Sequence, residues 1–462
     1  MNLEWKDYAE CLNSEFNTST KAPRIDQWVT DSRKIKEGDW FVPLVGENYD
    51  GHKFIDSALK QGAYGFVYEE CRATHLSSKQ KEKGILVQDT LNTFQNLARI
   101  WRLKNNDLTL FALTGSVGKT TTKEMLASVL SAIDRNTFAT AGNFNNEVGV
   151  PMTLQRIQEG HRYAVVEMGA RRPLDISKLV EIARPNITAC LNAKTAHIEI
   201  FKTKEAILDT KLEIFNQTPQ LKHIVFPRDD ERIVARCQNL NLPKTSFGHH
   251  PEADIRLKEQ TWGEDGSLKV LISFKNQEYS LYFAQGHSAY PINAAAALAM
   301  GSAAGLGMNK MVKTLSSFTG LKGRFNVFRN KDLTIIDDCY NANPDSMKEG
   351  INTLVQRYPQ QPKVLILGDM LELGQDAQSE HGEIGSYCQA LVNPLFLIGI
   401  GEHSQHIIDK AISNGLPKAQ TLSYSDVDDF LRAHIDLGSI GKVVFVKGSN
   451  GVRLDRVIER YS

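Results

Sequence analysis

Near-continuous runs of apolar residues, separated by longer helical stretches, dominate the middle of this chain. The runs Leu108–Thr114 and Tyr163–Glu167 are typical of strands in a parallel sheet, because helices cover both faces of such a sheet. The alternation of strands and helices between residues 107 and about 320 predicts βαβ units. Leu268–Phe274 and Glu278–Phe283 instead alternate between apolar and polar positions, which predicts antiparallel strands.

The alternation of strand and helix resumes after Thr319–Arg324, a segment with two glycines and a basic pair that indicates a boundary. The residues beyond it predict a second doubly wound α/β domain, similar to a Rossmann fold. Before residue 104, shorter strand-like pieces broken by Gly and Asp surround the helical stretch Phe54–Gln61, which predicts a small mixed α/β domain. We expect an α/β protein of three domains, at residues 1–104, 105–321 and 322–462.

Composition and charge exclude several classes of protein and site. The 462 residues carry 54 Lys and Arg against 54 Asp and Glu, so no global basic field exists for nucleic acid or an anionic membrane. The longest soft apolar stretch, Ala294–Met308, is too short to span a bilayer. Acidic residues near the N-terminus do not fit a signal peptide, so we expect a cytoplasmic protein. The six cysteines form no CxxC pair and predict neither a disulfide framework nor a zinc site.

A glycine-containing turn joins the strand Leu108–Thr114 to a predicted helix that starts at Lys119. The turn's N–H groups and the helix N-terminus suit a phosphate anion, with Lys119 placed to reach the β- and γ-phosphates of a nucleotide and Thr120 to hold Mg²⁺. The turn is two residues shorter than the standard phosphate loop, with Leu113 where its first glycine is expected. A turn that binds nothing is the alternative, which the register of strand, turn and helix disfavours. The candidate nucleotide-binding residues are Gly115, Ser116, Val117, Gly118, Lys119, Thr120 and Thr121.

Three further side chains are candidates for chemistry beside this loop. Glu167 ends the strand Tyr163–Glu167, where a carboxylate next to a phosphate loop can hold Mg²⁺. His197 follows another predicted strand, and a lone histidine is more often structural than a ligand. Lys211 lies on a probable helix, and the pattern around it indicates an ordinary solvent-exposed lysine.

Together with several other blocks, these residues resemble the ATP-dependent Mur ligases of bacterial cell-wall synthesis, over essentially the whole chain and in the same order. Asp31–Ile35 and Asp50–Phe54 resemble the UDP-sugar domain shared by the E- and F-type ligases, and the blocks that contain Tyr340 and Gly368 look like the F type. The other matching blocks are Gly115–Thr121, Thr140–Pro151, Gly286–Asn293, Gly323–Arg324, Ile336–Met347, Leu367–Gly374 and Val446–Ser449.

The resemblance implies an ATP-dependent amide ligase that works through an acyl phosphate. It would join D-alanyl-D-alanine to UDP-N-acetylmuramoyl-tripeptide and yield the pentapeptide, ADP and phosphate, a step of peptidoglycan synthesis on which cell shape and division depend. The front domain would bind the UDP-sugar, and the central domain would bind ATP. The C-terminal domain would bind D-alanyl-D-alanine and close over both. We also expect a cytoplasmic monomer with no membrane span and no bound nucleic acid.

The same resemblance implies a set of site residues. Lys119, Lys211 and His197 would be catalytic. Thr120 and Glu167 would hold one Mg²⁺ ion, and His197 and Lys211 a second, with Lys211 carbamylated so that a cation becomes an anionic oxygen ligand. Contacts to ATP are implied at the loop and at Asn293, Arg324, Asp338 and Asn341. Contacts to the UDP-substrate are implied at Ser32, Arg33, Asp50, Gly51, His52, Asn145, Asn146 and Thr188.

Some alternatives stay open. Asn450 stands where the family's Lys-Gly-Ser block continues with arginine, and the nearby Arg453 is the candidate substitute. Another Mur-type ligase or a folylpolyglutamate synthase is a competing function, which the UDP-type front blocks disfavour. The second competing function is that of a nucleotide-binding regulator without ligase activity, which the intact Lys119 and Glu167 disfavour. The third residue of the acceptor peptide, lysine or diaminopimelate, is not fixed by the sequence.

Overall fold

Three separate sheets organise the described residues and confirm the expected α/β architecture of three parts. The computed structural model describes residues 28–46, 48–194, 198–330, 332–391 and 395–462. In chain order, the sheets have four, nine and six strands. No helix among these described residues has both the length and the apolar character needed to cross a membrane.

The front sheet is small and parallel, with its four strands in the order β1-β2-β3-β4. The long helix Thr90–Lys104 covers it. Asp89 caps this helix by accepting a hydrogen bond from the backbone N–H of Asn92, and the apolar side chains of Phe94 and Trp101 are buried on one face. The strands are β1 Trp28–Val29, β2 Trp40–Phe41, β3 Gly65–Tyr68 and β4 Gly84–Leu86, and the other helices are Ile55–Lys60 and Ser78–Lys81.

The central sheet has nine strands in the order β13-β12-β11-β10-β9-β8-β5-β7-β6. Strands β5 to β11 run parallel, and β12 runs antiparallel to its neighbours β11 and β13, which confirms the predicted antiparallel pair. The sequence analysis did not identify β6, β10 or β11. The strands are β5 Thr109–Thr114, β6 Thr137–Ala139, β7 Tyr163–Glu167, β8 Ile187–Cys190, β9 His223–Pro227, β10 Lys244–Gly248, β11 Ile255–Trp262, β12 Leu268–Phe274 and β13 Gln277–Phe283.

Helices cover both faces of the central sheet, as the continuous apolar strands require. On one face, the alanine-rich helix Tyr290–Ala303 packs against the helix Lys119–Ile133, because small side chains let two helices approach closely. The helices are Lys119–Ile133, Gly149–Gln155, Asp175–Ala183, Ile198–Phe201, Lys204–Leu212, Glu231–Gln238, Tyr290–Ala303 and Met308–Leu315.

The C-terminal sheet has the order β14-β15-β19-β16-β17-β18 and is parallel except for the edge strand β14. Asn343 and Ser346 form a capping box at the start of the helix Pro344–Arg357, whose first residue is proline. The strands are β14 Asn326–Asn330, β15 Leu333–Asp337, β16 Lys363–Gly368, β17 Leu395–Ile400, β18 Thr421–Tyr424 and β19 Val443–Lys447. The other helices are Ala377–Leu391, Ser404–Ser413, Val427–Arg432, Leu437–Ile440 and Asp455–Tyr461.

Specific polar contacts join the three parts. Trp101 of the front helix donates a hydrogen bond from its indole N–H to the backbone oxygen of Ile157, at 2.8 Å. Ser288, just before the helix Tyr290–Ala303, donates its backbone N–H to Thr353 Oγ1 at 3.1 Å and also bonds to Glu349. These contacts join the front part and the C-terminal part to the central part.

Candidate active site

A cavity of about 1800 Å³ lies where the three parts meet. Its floor is the carboxyl edge of the central sheet, where ligands of open α/β sheets commonly bind. Residues of all three parts form its wall, including Val45, Asn92 and Arg99 of the front part, Lys119, Glu167 and Lys211 of the central part, and Arg324, Asn341 and Lys447 of the C-terminal part.

The predicted phosphate loop joins β5 to the helix Lys119–Ile133 at this edge. Ser116 to Thr121 line the cavity, whereas Gly115, which precedes them, is not part of its wall. Gly118 has φ +83°, a conformation that favours glycine, and a Cβ atom there would lie 2.5 Å from Asn293 Oδ1 and displace that side chain. Gly118 precedes the helix and offers no side chain to its first N–H groups, which have no partner within the helix. The loop thus presents a helix N-terminus to the cavity, a position that favours an anion.

Lys119 is folded back onto its own loop. Its Nζ atom donates to the backbone oxygens of Gly115 at 2.7 Å and Ser116 at 3.3 Å. Burial lowers the pKa of Lys119, and the neighbouring Arg324 adds to this, while the Glu167 carboxylate opposes it. An anionic phosphate in the cavity would offer this ammonium group a stronger partner than a carbonyl oxygen.

Glu167 ends β7 and is 2% exposed. Its Oε2 atom accepts from Thr120 Oγ1 at 3.0 Å, and its Oε1 atom accepts from Asn145 Nδ2 at 2.8 Å. The structure therefore brings together the carboxylate and the hydroxyl that the sequence analysis assigned to Mg²⁺. An anionic carboxylate beside a hydroxyl supplies the hard oxygen ligands that this ion prefers.

Lys211 is buried against the cavity, with only 1% of the residue exposed. It lies on the helix Lys204–Leu212, whose first turn is capped by the Thr203 side chain. Loss of solvation lowers the pKa of Lys211 to about 7, with a further contribution from the Lys119 cation. The expectation of a solvent-exposed lysine, drawn from the pattern alone, is thus wrong, because this side chain points inward. At neutral pH a large share of its amine is uncharged.

Four predicted ATP contacts come together on the side of the cavity next to the C-terminal part. Asn293, Arg324, Asp338 and Asn341 all line it. Arg324 stacks on the ring of Tyr340, with 4.3 Å from the guanidinium carbon to the ring centroid, and its Nη2 atom donates to Thr120 Oγ1 at 3.4 Å.

Asp338 forms a buried ion pair with Lys447, whose Nζ atom lies 2.7 Å from Asp338 Oδ2. The sequence analysis did not single out Tyr340 or Lys447. Both lie inside blocks that the sequence analysis matched to the Mur ligases, so their residue types within those blocks could have identified them as candidates.

The predicted UDP-substrate contacts divide into two groups. Asn145 and Asn146 line the cavity. Ser32, Arg33, Asp50, Gly51, His52 and Thr188 are not brought to its wall. The front wall is formed instead by residues that the sequence analysis missed, on the turn before residue 47 and on one face of the helix Thr90–Lys104. They are Val45, Gly46, Asn92, Gln95, Asn96 and Arg99.

The remaining predicted contacts of the front part have local partners. His52 is fully buried, with its Nδ1 atom 2.8 Å from Asp50 Oδ1 and its Nε2 atom accepting from the backbone N–H of Glu69. This pattern requires a neutral ring with the proton on Nδ1. Gly51 is required because a Cβ atom would lie 2.6 Å from the backbone oxygen of Leu44. Asp50 and His52 therefore fix the shape of the front part.

Five more predicted positions remain. Arg33 pairs with Asp31 at 2.9 Å on the surface. Thr188 is fully buried within β8. Asn450, which stands at the position of the family arginine, lines the cavity. Arg453, the candidate substitute for that arginine, does not line the cavity, and its Nε atom lies 3.3 Å from Asp455 Oδ1. His197 lies outside the described residues.

Family models match each of the three parts. The Mur ligase family catalytic domain matches residues 24–102, the Mur ligase middle domain matches residues 113–301, and the Mur ligase glutamate ligase domain matches residues 323–450. The matched segments follow one another in the order of the three sheets.

Individual relatives match along almost the whole chain. The chain is 31% identical to the UDP-N-acetylmuramoyl-tripeptide--D-alanyl-D-alanine ligase of Rickettsia prowazekii, over 99% of both chains. The protein of the same name from Bacillus subtilis is 30% identical, over 95% of this chain and 94% of that one.

Solved structures agree with this match. A crystal structure of MurF from Acinetobacter baumannii has a TM-score of 0.88 and 27% identity, and the match covers 100% of this chain and 99% of that one. MurF ligase from Thermotoga maritima, in complex with ADP, has a TM-score of 0.82 and 30% identity, over 95% and 97% of the two chains. The chain belongs to the Mur ligase family.

Proposed function

We propose that this chain uses ATP to join D-alanyl-D-alanine to UDP-N-acetylmuramoyl-tripeptide, forming the pentapeptide of peptidoglycan synthesis together with ADP and phosphate. Relatives that carry the name of this activity match along nearly its whole length. The observation that carries the proposal is the meeting of a phosphate loop, a buried carboxylate and a buried lysine in one cavity at the junction of the three parts.

The reaction needs such a site because a carboxylate resists attack by an amine. Transfer of the γ-phosphoryl group to a carboxylate oxygen of the tripeptide gives an acyl phosphate and ADP. The amine of D-alanyl-D-alanine then forms the new C–N bond and loses a proton, and the C–O bond to phosphate breaks. Phosphoryl transfer depends on positioning and on neutralisation of charge rather than on covalent help from the protein.

The phosphate loop supplies both requirements. Its helix N-terminus binds the negative charge of the triphosphate, and Lys119 exchanges the carbonyl oxygens of its own loop for phosphate oxygens. Asn293, Arg324, Asp338 and Asn341 contact the rest of ATP from the C-terminal side. Closure of the C-terminal part over the nucleotide excludes water from the acyl phosphate.

Mg²⁺ fits beside this loop. Glu167 and Thr120 provide an anionic oxygen and a hydroxyl oxygen at the same point of the cavity, and both belong to elements that the sheet holds rigidly. When bound, Mg²⁺ neutralises negative charge on the phosphates. His197 stays a predicted ligand of a second ion, together with Lys211.

Carbamylation of Lys211 is part of the proposal. With a pKa of about 7, a share of the amine is neutral at physiological pH, and its lone pair can form an N–C bond with carbon dioxide as a proton leaves the nitrogen. The product is a carbamate, which replaces a buried cation with an anionic oxygen ligand. The buried lysine thus becomes compatible with a metal ion in the same cavity.

The substrates have separate places in this arrangement. The UDP-substrate approaches from the front wall and reaches the central part at Asn145 and Asn146, while D-alanyl-D-alanine enters from the C-terminal part. We place the domain boundaries at residues 104 and 321, and we expect a monomer that acts in the cytoplasm.

The test is ADP release by the purified protein with ATP, Mg²⁺ and UDP-N-acetylmuramoyl-tripeptide, with and without D-alanyl-D-alanine. We expect turnover only when both acceptor and dipeptide are present, and a product larger than the tripeptide by the dipeptide less one water. A parallel reaction offers tetrahydrofolate and glutamate. Turnover with those two, or no turnover in any mixture, would contradict the proposal.

A further inference from the structure

Asn192 ties the phosphate loop to the neighbouring strand. It follows β8, next to β5 in the sheet, and its side chain reaches across to the loop. The Oδ1 atom accepts from the backbone N–H groups of Ser116 at 3.0 Å and Val117 at 3.1 Å, and the Nδ2 atom donates to the backbone oxygen of Val117 at 3.0 Å. Both ends of one amide are therefore used to hold two consecutive loop residues.

A second pair of hydrogen bonds strengthens this connection. Ser116 Oγ donates to the backbone oxygen of Lys194 at 2.8 Å and accepts from the backbone N–H of Lys194 at 2.9 Å. Gly115 allows the close approach, because a Cβ atom there would lie 3.0 Å from Leu191 Cβ. The loop is thus held from outside, by the segment that follows β8.

The length of the loop explains why an external tie is useful. With two residues fewer than the standard loop, it has fewer backbone groups with which to close the turn on itself. The N–H groups of Ser116 and Val117 are bonded to Asn192, so the groups that face an anion are those of Gly118 and the first turn of the helix Lys119–Ile133. A change in the angle of the loop would move this helix N-terminus relative to the cavity.

We infer that Asn192 is a positioning residue of the nucleotide site, which replaces the internal hydrogen bonds of a longer loop and fixes the helix N-terminus for a triphosphate. This inference rests on the nucleotide-binding part of the proposed function. It does not depend on which acceptor is ligated. Asn192 also lines the cavity, but the three hydrogen bonds of its side chain are all to the loop, so it acts through the loop and takes no part in bond making.

The other end of the same strand offers a matched control. Asn186 precedes β8, and its Oδ1 atom accepts from the backbone N–H of Leu110 at 2.8 Å and from Arg102 Nη2 at 2.7 Å. Its Nδ2 atom donates to the backbone oxygen of Gln220 at 3.2 Å. Both asparagines thus accept two hydrogen bonds and donate one, but only Asn192 contacts the loop.

The experiment compares Asn192→Ala with Asn186→Ala by calorimetric titration with Mg-ADP and by thermal unfolding of both proteins. We expect Asn192→Ala to lose about tenfold or more in ADP affinity, because two loop N–H groups and one carbonyl lose their partner, while Asn186→Ala stays within about twofold of wild type. We expect both variants to unfold at similarly lowered temperatures. In turnover, the KM for ATP of Asn192→Ala should rise by a larger factor than its kcat falls.

The outcomes separate the alternatives. Wild-type ADP affinity in Asn192→Ala, or equal losses of affinity in both variants, would overturn the inference. If Asn192→Ala does not fold, Ser116→Ala removes only the hydrogen bonds to Lys194 and is expected to lower ADP affinity about threefold, with unchanged affinity counting against the inference. A wild-type protein that does not bind ADP would instead contradict the proposed function.

Discussion

The central and C-terminal parts share one construction but treat the end of a helix in opposite ways. In both, a parallel strand runs to the carboxyl edge of the sheet and a helix begins beside it. In the C-terminal part, the N-cap residue His403 makes no side-chain hydrogen bond, but the buried Asp369 accepts from the backbone N–H of Ser404 at 2.7 Å and so caps the helix Ser404–Ser413 from a distant part of the chain. In the central part, the residue before the helix Lys119–Ile133 is Gly118, which has no side chain to cap it.

This difference indicates which helix N-termini of an α/β fold can bind an anion. A helix N-terminus that already has a carboxylate of its own gains little from a phosphate and would bring two negative charges together. An uncapped N-terminus at the edge of a cavity leaves its N–H groups for a ligand. The same architecture therefore provides a nucleotide site in one part and a stabilising cap in the other.

The buried lysines differ in their surroundings within the central part as well, where the fully buried Lys123 donates to the backbone oxygen of Thr140 at 2.6 Å. Lys447 of the C-terminal part forms an ion pair with Asp338, and Lys363 donates to the backbone oxygen of Gln361 at 2.8 Å. Lys211 of the central part is buried next to another cation, Lys119, and its pKa falls to about 7. A strongly shifted group in a cavity is a candidate for function.

The largest expected effect comes from Lys211→Ala. If this lysine carries the carbamate that completes the metal site, the ligase rate falls about a thousandfold or more, which is about 4 kcal/mol of activation free energy. ADP affinity should stay within a few-fold of wild type, because the phosphate loop is intact. Turnover and Mg-ADP titration measure the two quantities separately.

The matched control is Lys363→Ala, which removes a buried lysine from the start of β16, away from the cavity wall. We expect its ligase rate to stay within a few-fold of wild type despite some loss of stability. Equal losses of ligase rate in the two variants would show that the loss follows from removing any buried lysine, and not from the position of Lys211 in the cavity.

The titration of Lys211 gives the next prediction. Its folded-state pKa of about 7 lies below its unfolded value near 10.4, so between these pH values the unfolded chain binds the extra proton. The quantity to measure is the difference in free energy of unfolding between wild type and Lys211→Met, in buffer free of carbon dioxide. We expect this difference to be constant below pH 7 and to rise by a few kcal/mol towards pH 10. Urea unfolding measures it, and a difference that is flat over this range would refute the shifted pKa.

Much of the fold follows from local pattern, whereas strand β11 does not. The pair β12 and β13 was predicted from alternating positions, and the structure confirms it as antiparallel. Strand β11, Ile255–Trp262, was missed because its second half is largely exposed and its outward positions are charged or polar, which resembles a loop in the sequence. Its place in the sheet comes from pairing with β10 and β12, the strands before and after it in the chain, and the pattern within Ile255–Trp262 alone does not show that pairing.

In the candidate site, too, the local sequence predicts some of the residues and not others. Glu167 and Thr120 were assigned from their places at the ends of elements, and the structure puts them 3.0 Å apart. The burial of Lys211 could not be read from its helix, because the neighbouring strands and loop that surround it are distant in sequence. Asn192 has no pattern of its own, and only the pairing of β8 with β5 brings it to the loop.

The smallest expected effect tests the C-terminal side of the comparison. Asp369→Ala removes the cap of the helix Ser404–Ser413 and should lower the free energy of unfolding by about 1–2 kcal/mol. Its control, Asp409→Ala, changes an exposed aspartate on the same helix and should stay within about 0.5 kcal/mol of wild type. ADP affinity should be unchanged in both, because the cap serves the helix and not the nucleotide. A tenfold loss of ADP affinity in Asp369→Ala alone would instead assign this capped end to the nucleotide site and remove the distinction between the two parts.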